Sequence, residues 1–105
     1  MIQEPADSAV NVLTYDNFNR FIKKKGFITL MEFYAPWCGH CQNLAPKYRD
    51  AAKTLAAADL PTPVRLAKMD DGDEYNRKLR AGAEDMFNYS SYPALLVFKD
   101  KPVIN

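Results

Sequence analysis

The only two cysteines of the chain, Cys38 and Cys41, are separated by Gly39 and His40. A bridge closing so short a loop constrains little of the unfolded chain, because disulfide stabilisation grows with loop length. The pair is a poor structural staple, and its spacing points to redox or metal chemistry. Haem attachment needs a histidine directly after the second cysteine, where Gln42 stands. A zinc site needs four ligands, and two cysteines with one histidine fall short unless chains share the ion. Inert thiols are a further alternative, against which Trp37 and Gly39 argue by suggesting an exposed turn. Thiol–disulfide exchange fits best: a thiolate attacks a disulfide, and a second thiol resolves the mixed disulfide that forms.

The elements around the motif give its two thiols unequal roles. From Cys38 onward, Cys41, Leu44, Ala45, Tyr48, Ala52, Leu55 and Ala56 recur at three and four residues. That spacing predicts an amphipathic helix ending near Asp59, before the breaker Leu60-Pro61-Thr62-Pro63. Cys38 at its start meets unpaired N–H groups and the positive end of the dipole, which favour a thiolate. His40, when protonated, adds positive charge in the same turn, stabilises the reduced form and makes the disulfide a better oxidant. Gly39 is expected to keep the turn uncrowded. Cys41, one turn in on the apolar face, is expected to be buried, less acidic and suited to resolve.

Just before the motif, Phe27 to Tyr34 is a nearly continuous apolar run, the pattern of a strand buried on both faces, and Glu32 interrupts it. A buried carboxylate of raised pKa is a competent acceptor for the Cys41 proton. Val64 to Met69 predicts another strand, with Lys68 as a possible charge partner of Glu32; an ion pair without catalytic use is the alternative. Val10 to Leu13 predicts a short strand, Thr14 a helix cap, and Phe18, Phe21 and Ile22 a helix closing at Lys23-Lys24-Lys25-Gly26. Those lysines suit a last helical turn and need no partner. Tyr75 to Leu79 predicts a short helix begun in the acidic segment 70–74, which lacks calcium-loop spacing, so no metal site is expected there. Ala94 to Phe98 predicts the last strand. Alternating strands and helices imply an α/β layer structure, with parallel strands joined through the Cys38 helix.

The 105 residues fit one domain, 1–105, without linker or repeat. Fourteen Lys and Arg against thirteen Asp and Glu give no field that would draw nucleic acid or an anionic membrane. No apolar stretch approaches the roughly 20 residues needed to span a bilayer. The first eight residues have neither the basic start nor the apolar core of a secretory signal.

The run Phe33-Tyr-Ala-Pro-Trp-Cys-Gly-His-Cys41 resembles the active-site segment of protein disulfide isomerase catalytic domains, within the thioredoxin superfamily, and the resemblance extends from about Val10 to Lys99. It implies a thioredoxin-like three-layer α/β fold with a central mixed sheet, Cys38 as nucleophile and Cys41 as resolving thiol. It also implies Glu32 as buried acid with Lys68 as its partner, Pro46 within the active-site helix, and Pro93 as a cis proline facing the cysteines. Without the resemblance, an ordinary trans proline before an edge strand is an equal reading of Pro93. Trp37, Tyr92 and the backbone beside Pro93 would receive an extended substrate as an added strand.

The implied activity is the formation, reduction and rearrangement of disulfides in unfolded or misfolded cysteine-containing polypeptides of the endoplasmic reticulum lumen. No bound cofactor is expected; the dithiol would exchange with glutathione or a partner oxidase. A general thioredoxin-like reductant and a redox-inactive peptide-binding module are the alternatives. The sequence departs from the family in a longer segment through Arg80 to Asp85, in Phe87-Asn88-Tyr89, and in ending at Lys101-Pro-Val-Ile-Asn105 where relatives continue. A sheet lacking its last edge strand and the C-terminal helix is therefore expected, with reduced stability or an oligomer, for example a domain-swapped one.

Overall fold

Alternation along the central strands sorts their side chains between two cores. In the computed structural model, which describes residues 4–5, 7–81, 89 and 91–99, the elements are β1 (Asn11–Leu13), α1 (Phe18–Lys23), β2 (Ile28–Tyr34), α2 (Gly39–Ala57), β3 (Val64–Asp70), α3 (Glu74–Ala81) and β4 (Ala94–Lys99). Met31 and Phe33 of β2 and Ala67 and Met69 of β3 turn to one face, where they bury Phe18 and Ile22 of α1, Leu79 of α3, and Phe98. The residues between them turn to the other face, where Leu30, Leu66 and Val64 meet Tyr48, Ala52, Leu44 and Leu55 of α2. Period two in the strands against 3.6 in the helices thus gives three layers, with α2 alone on its side of the sheet among the described residues.

The sheet runs β1-β3-β2-β4. β3 is parallel to both β1 and β2, and β4 is antiparallel to β2. The mixed, thioredoxin-like α/β architecture expected from the sequence is the one observed. The α2 crossover joins β2 to its parallel neighbour β3, so the start of α2 falls at the carboxyl end of the central strand, which is where the cysteines are.

Tyr48 ties these layers together. Its hydroxyl lies 2.8 Å from the carbonyl oxygens of both Leu30 and Ala67, so its single proton serves β2 or β3 from within the apolar interface. Thr14, expected to cap α1, does not. The helix begins at Phe18, with Asn17 at the cap and no side-chain capping bond. The Asn17 side chain instead accepts the Thr14 N–H at 2.7 Å, and the Thr14 carbonyl accepts from the N–H groups of Asn17 and Phe18. A turn therefore occupies the residues before the helix. Beyond α1, Gly26 takes φ +91°, a conformation glycine adopts without the steric cost of a side chain.

In the acidic segment, Asp73 Oδ1 accepts the Tyr75 N–H at 2.9 Å at the start of α3, and Asp70 Oδ1 accepts that of Gly72 at 2.8 Å. No described helix is long and apolar enough to cross a membrane. Segment 82–88, with Asn88 and most of the lengthened stretch, and residues 100–105, on which the expected loss of the last strand and helix turns, lie outside the described residues. On β4, Leu95 and Val97 stand opposite Glu32 and Leu30 in register. They are 48% and 58% exposed.

Candidate active site

Cys38 is the N-cap of α2, and the cap interaction is made by its sulfur: Cys38 Sγ accepts the backbone N–H of Cys41 at 3.2 Å. An N-cap sulfur facing helix N–H groups has a donor in place for the negative charge of a thiolate. On its other side the Cys38 thiol donates to the carbonyl oxygen of Tyr92 at 3.6 Å, so the segment before β4 closes over the motif. The Tyr92–Pro93 peptide bond is cis. Gln42 Nε2 donates to the Pro36 carbonyl at 2.9 Å and pins the turn that leads into the helix. Pro46 lies inside α2.

Both cysteines are present as free thiols. Cys41 is fully buried, while Cys38 retains 7% exposure, less than its exposed neighbours Trp37, Gly39 and His40 suggest. Only a small part of Cys38 faces outward. Burial, followed by the hydrogen bond with Cys38, pushes the Cys41 thiol up to about 12. Such a thiol does not ionise unaided near neutrality. A Cβ placed on Gly39 would meet nothing within 4 Å, so the turn itself does not require glycine there. The open surface is in front of the motif, where a substrate would approach.

Glu32 lies on the α2 face of β2 and is 3% exposed. Burial pushes its carboxyl from 4.5 to about 7, against the pull of Lys68 and with a further push from Glu4. Lys68 is its direct neighbour in the parallel register. The expected Glu32–Lys68 contact is nevertheless not the ion pair that forms. Lys68 Nζ binds Glu4 Oε1 at 2.6 Å, and Arg49 Nε binds Glu4 Oε2 at 3.1 Å. The N-terminal segment crosses over the α2 face and supplies the carboxylate. Lys68 acts on Glu32 through space rather than by contact. Glu4 escapes sequence reasoning because nothing in its local pattern signals a partner 64 residues away.

Two aromatic residues form the rim. Trp37 is 72% exposed and meets Tyr92 edge-on, with ring centroids 5.9 Å apart. The Tyr92 hydroxyl donates to Asp71 Oδ2 at 2.5 Å, and the Asp71 N–H donates to the Tyr34 carbonyl at 2.7 Å. Asp71 is 1% exposed and so links the end of β2 to the loop beside Cys38. It sits in a segment whose sequence speaks only of helix initiation, and its role emerges from the fold. Behind this rim Tyr89 stacks on Phe33 at 5.4 Å and meets Tyr92 at 6.2 Å.

The family described as Thioredoxin matches residues 9–105. Protein disulfide-isomerase of Zea mays is 41% identical over 93 residues, which are 89% of this chain and 17% of that protein. Protein disulfide-isomerase A4 of Bos taurus is 44% identical over 95 residues, 90% of this chain and 13% of that protein. The chain thus spans less than a fifth of the length of these relatives. Among solved structures, thioredoxin f from spinach chloroplast superposes with a TM-score of 0.72 at 23% identity, over 91% of this chain and 71% of the other, a likeness of fold. Paired thiols at a helix start in this fold, with these relatives, support thiol–disulfide oxidoreductase chemistry.

Proposed function

From a chain that belongs to the thioredoxin family and holds one thiol at a rim and a second sealed beneath it, we propose a protein disulfide isomerase domain that forms, reduces and rearranges disulfides in folding secretory polypeptides. The observation that carries this reading is the asymmetry of the pair: Cys38 Sγ sits between a helix N–H and the Tyr92 carbonyl, and Cys41 is wholly buried. Cys38 attacks a substrate disulfide as the thiolate, and the leaving sulfur departs with its electron pair. Cys41 then gives its proton to Glu32 and attacks Cys38, releasing the substrate thiolate and closing the Cys38–Cys41 disulfide. Oxidation of a substrate runs the same steps in reverse.

Extended, cysteine-containing polypeptides are the proposed substrates. Trp37 and Tyr92 offer apolar surface, and the backbone before Pro93 offers pairing groups that read main chain rather than sequence. The resemblance to isomerases supports work in the endoplasmic reticulum lumen, where reduced glutathione would restore the dithiol and a partner oxidase the disulfide. A positive charge on His40, exposed in the first turn of α2, stabilises the Cys38 thiolate and so makes the disulfide a stronger oxidant.

Cys41→Ser tests the division of labour. It should accumulate mixed disulfides through Cys38, and their absence would favour a redox-inactive binding module. Equilibration of the pair against glutathione tests the direction. A potential near about −180 mV supports an oxidant and isomerase, and one near about −270 mV would instead assign a thioredoxin-like reductant.

A further inference from the structure

Glu32 and Lys68 are paired residues in the parallel β2–β3 register, so both side chains leave the sheet on the α2 face. The Lys68 ammonium interacts with two carboxylates on that face, Glu32 through space and Glu4 in contact at 2.6 Å. The other oxygen of Glu4 is taken by Arg49 of α2 at 3.1 Å. The side chains of Glu4 and Lys68 are 7% and 3% exposed, so water screens little of this interaction. Glu4 lies in no helix or strand. Hydrogen bonds from Lys68, Ser8 and Arg49 hold its carboxyl below the ordinary range, although burial alone would raise it.

This arrangement matters because of what the alternative contact would do. An ammonium bound directly to Glu32 would keep it a carboxylate of low proton affinity. With Lys68 bound to Glu4, that cation is compensated elsewhere. We propose that Glu4 is a positioning residue for the resolving step: by holding Lys68 it keeps the ammonium off Glu32, and so leaves Glu32 able to take the Cys41 proton. This rests on the assignment of Glu32 as acceptor made above.

The groups that act electrostatically with Glu32 are Lys68 of β3, Glu4 of the N-terminal segment, Cys41 and Tyr48 of α2, and Tyr34 of β2. Of these only Lys68 is a cation, and Glu4 is the residue bound to it. In the resolving step the Cys41 S–H bond breaks and its proton passes to a Glu32 carboxylate oxygen. The Cys41 sulfur bonds to the Cys38 sulfur, and the bond between Cys38 and the substrate sulfur breaks. The electron pair of that bond leaves with the substrate as a thiolate, so the protein pair is oxidised by two electrons and the substrate disulfide is reduced.

An aromatic disulfide that releases a coloured thiolate at each step resolves the two attacks in stopped flow. Its first phase reports Cys38 and its second reports Cys41. The second phase of the unaltered chain should carry an acid limb near pH 7, which Glu32→Gln abolishes. Glu4→Gln should move that limb down by about one pH unit, because the freed ammonium turns to Glu32. It should also slow the plateau about threefold, since a weaker base accepts the proton less readily, while the first phase is unchanged. Lys68→Gln should move the limb up, and adding Glu4→Gln in that background should move it less than it does alone. If Glu32→Gln abolishes the limb but Glu4→Gln leaves it in place, the role of Glu4 is refuted and the acceptor stands. If Glu32→Gln leaves the limb untouched, the acceptor assignment falls and this inference falls with it. Should the Glu4→Gln chain melt below the assay temperature, Glu4→Asp, which draws the carboxylate back from Lys68, should give a smaller shift of the same sign, and an unmoved limb overturns the proposal equally.

Discussion

Replacing Glu32 by glutamine keeps the size of the side chain and removes its titration, which isolates the free energy stored in one buried carboxyl. Burial raises that carboxyl from 4.5 to about 7. The folded chain therefore holds a proton that the unfolded chain has already released, and stability must fall as pH rises between those two values. The stabilisation is complete below about 4.5 and has been lost once pH passes about 7. At about 1.36 kcal/mol per pH unit, that interval amounts to about 3 kcal/mol. Little of it is lost to solvent, because Glu32 is 3% exposed.

The difference in unfolding free energy between Glu32→Gln and the unaltered chain should thus change by about 3 kcal/mol in favour of glutamine between about pH 4 and about pH 8.5. For a domain of this size that corresponds to roughly 12 to 24 °C in Tm. Urea unfolding of both reduced proteins across the range, followed by circular dichroism, measures the difference directly. All other titrating groups are common to the two proteins and largely cancel. A difference that stays flat from the acid to the alkaline end would refute the assignment of a high proton affinity to Glu32.

Two other substitutions probe the frame and the rim. Tyr48→Phe removes a hydroxyl 2.8 Å from the Leu30 and Ala67 carbonyls, and should cost about 1 to 2 kcal/mol of unfolding free energy; an unchanged urea midpoint would show that the strands satisfy those carbonyls without it. Trp37→Ala alters a side chain that is 72% exposed, so stability should change by less than about 0.5 kcal/mol, while KM for a disulfide-containing peptide rises. A lowered melting temperature with unchanged KM would make Trp37 structural and remove it from the substrate surface.

Sequence periodicity records burial, and it carried most of the frame. The apolar run before the motif became β2, the three-and-four spacing after it became α2, and together they put Cys38 at a helix start and Cys41 on the inner face. Alternation also put Glu32 and Lys68 on one face of the sheet, since that follows from residue parity in paired strands. Where a local signal was ambiguous the expectation missed. Thr14 and Asn17 are both acceptable cap types, but the Asn17 side chain turns back to the Thr14 N–H, so the helix starts at Phe18 with no side-chain cap.

By itself, then, the sequence determined the chemistry available: a closely spaced dithiol opening a helix, a carboxylate buried behind it and an apolar rim. Which groups those residues meet was decided only by the tertiary structure. The Tyr92 carbonyl at Cys38, the Asp71 carboxylate at the Tyr92 hydroxyl and the Glu4 carboxylate at Lys68 are separated in sequence by 54, 21 and 64 residues. A charged side chain leaves no periodic trace of its partner. Its choice depends on where loops and the N-terminal segment pass over the sheet, and on which carboxylate reaches an ammonium that cannot be left buried alone.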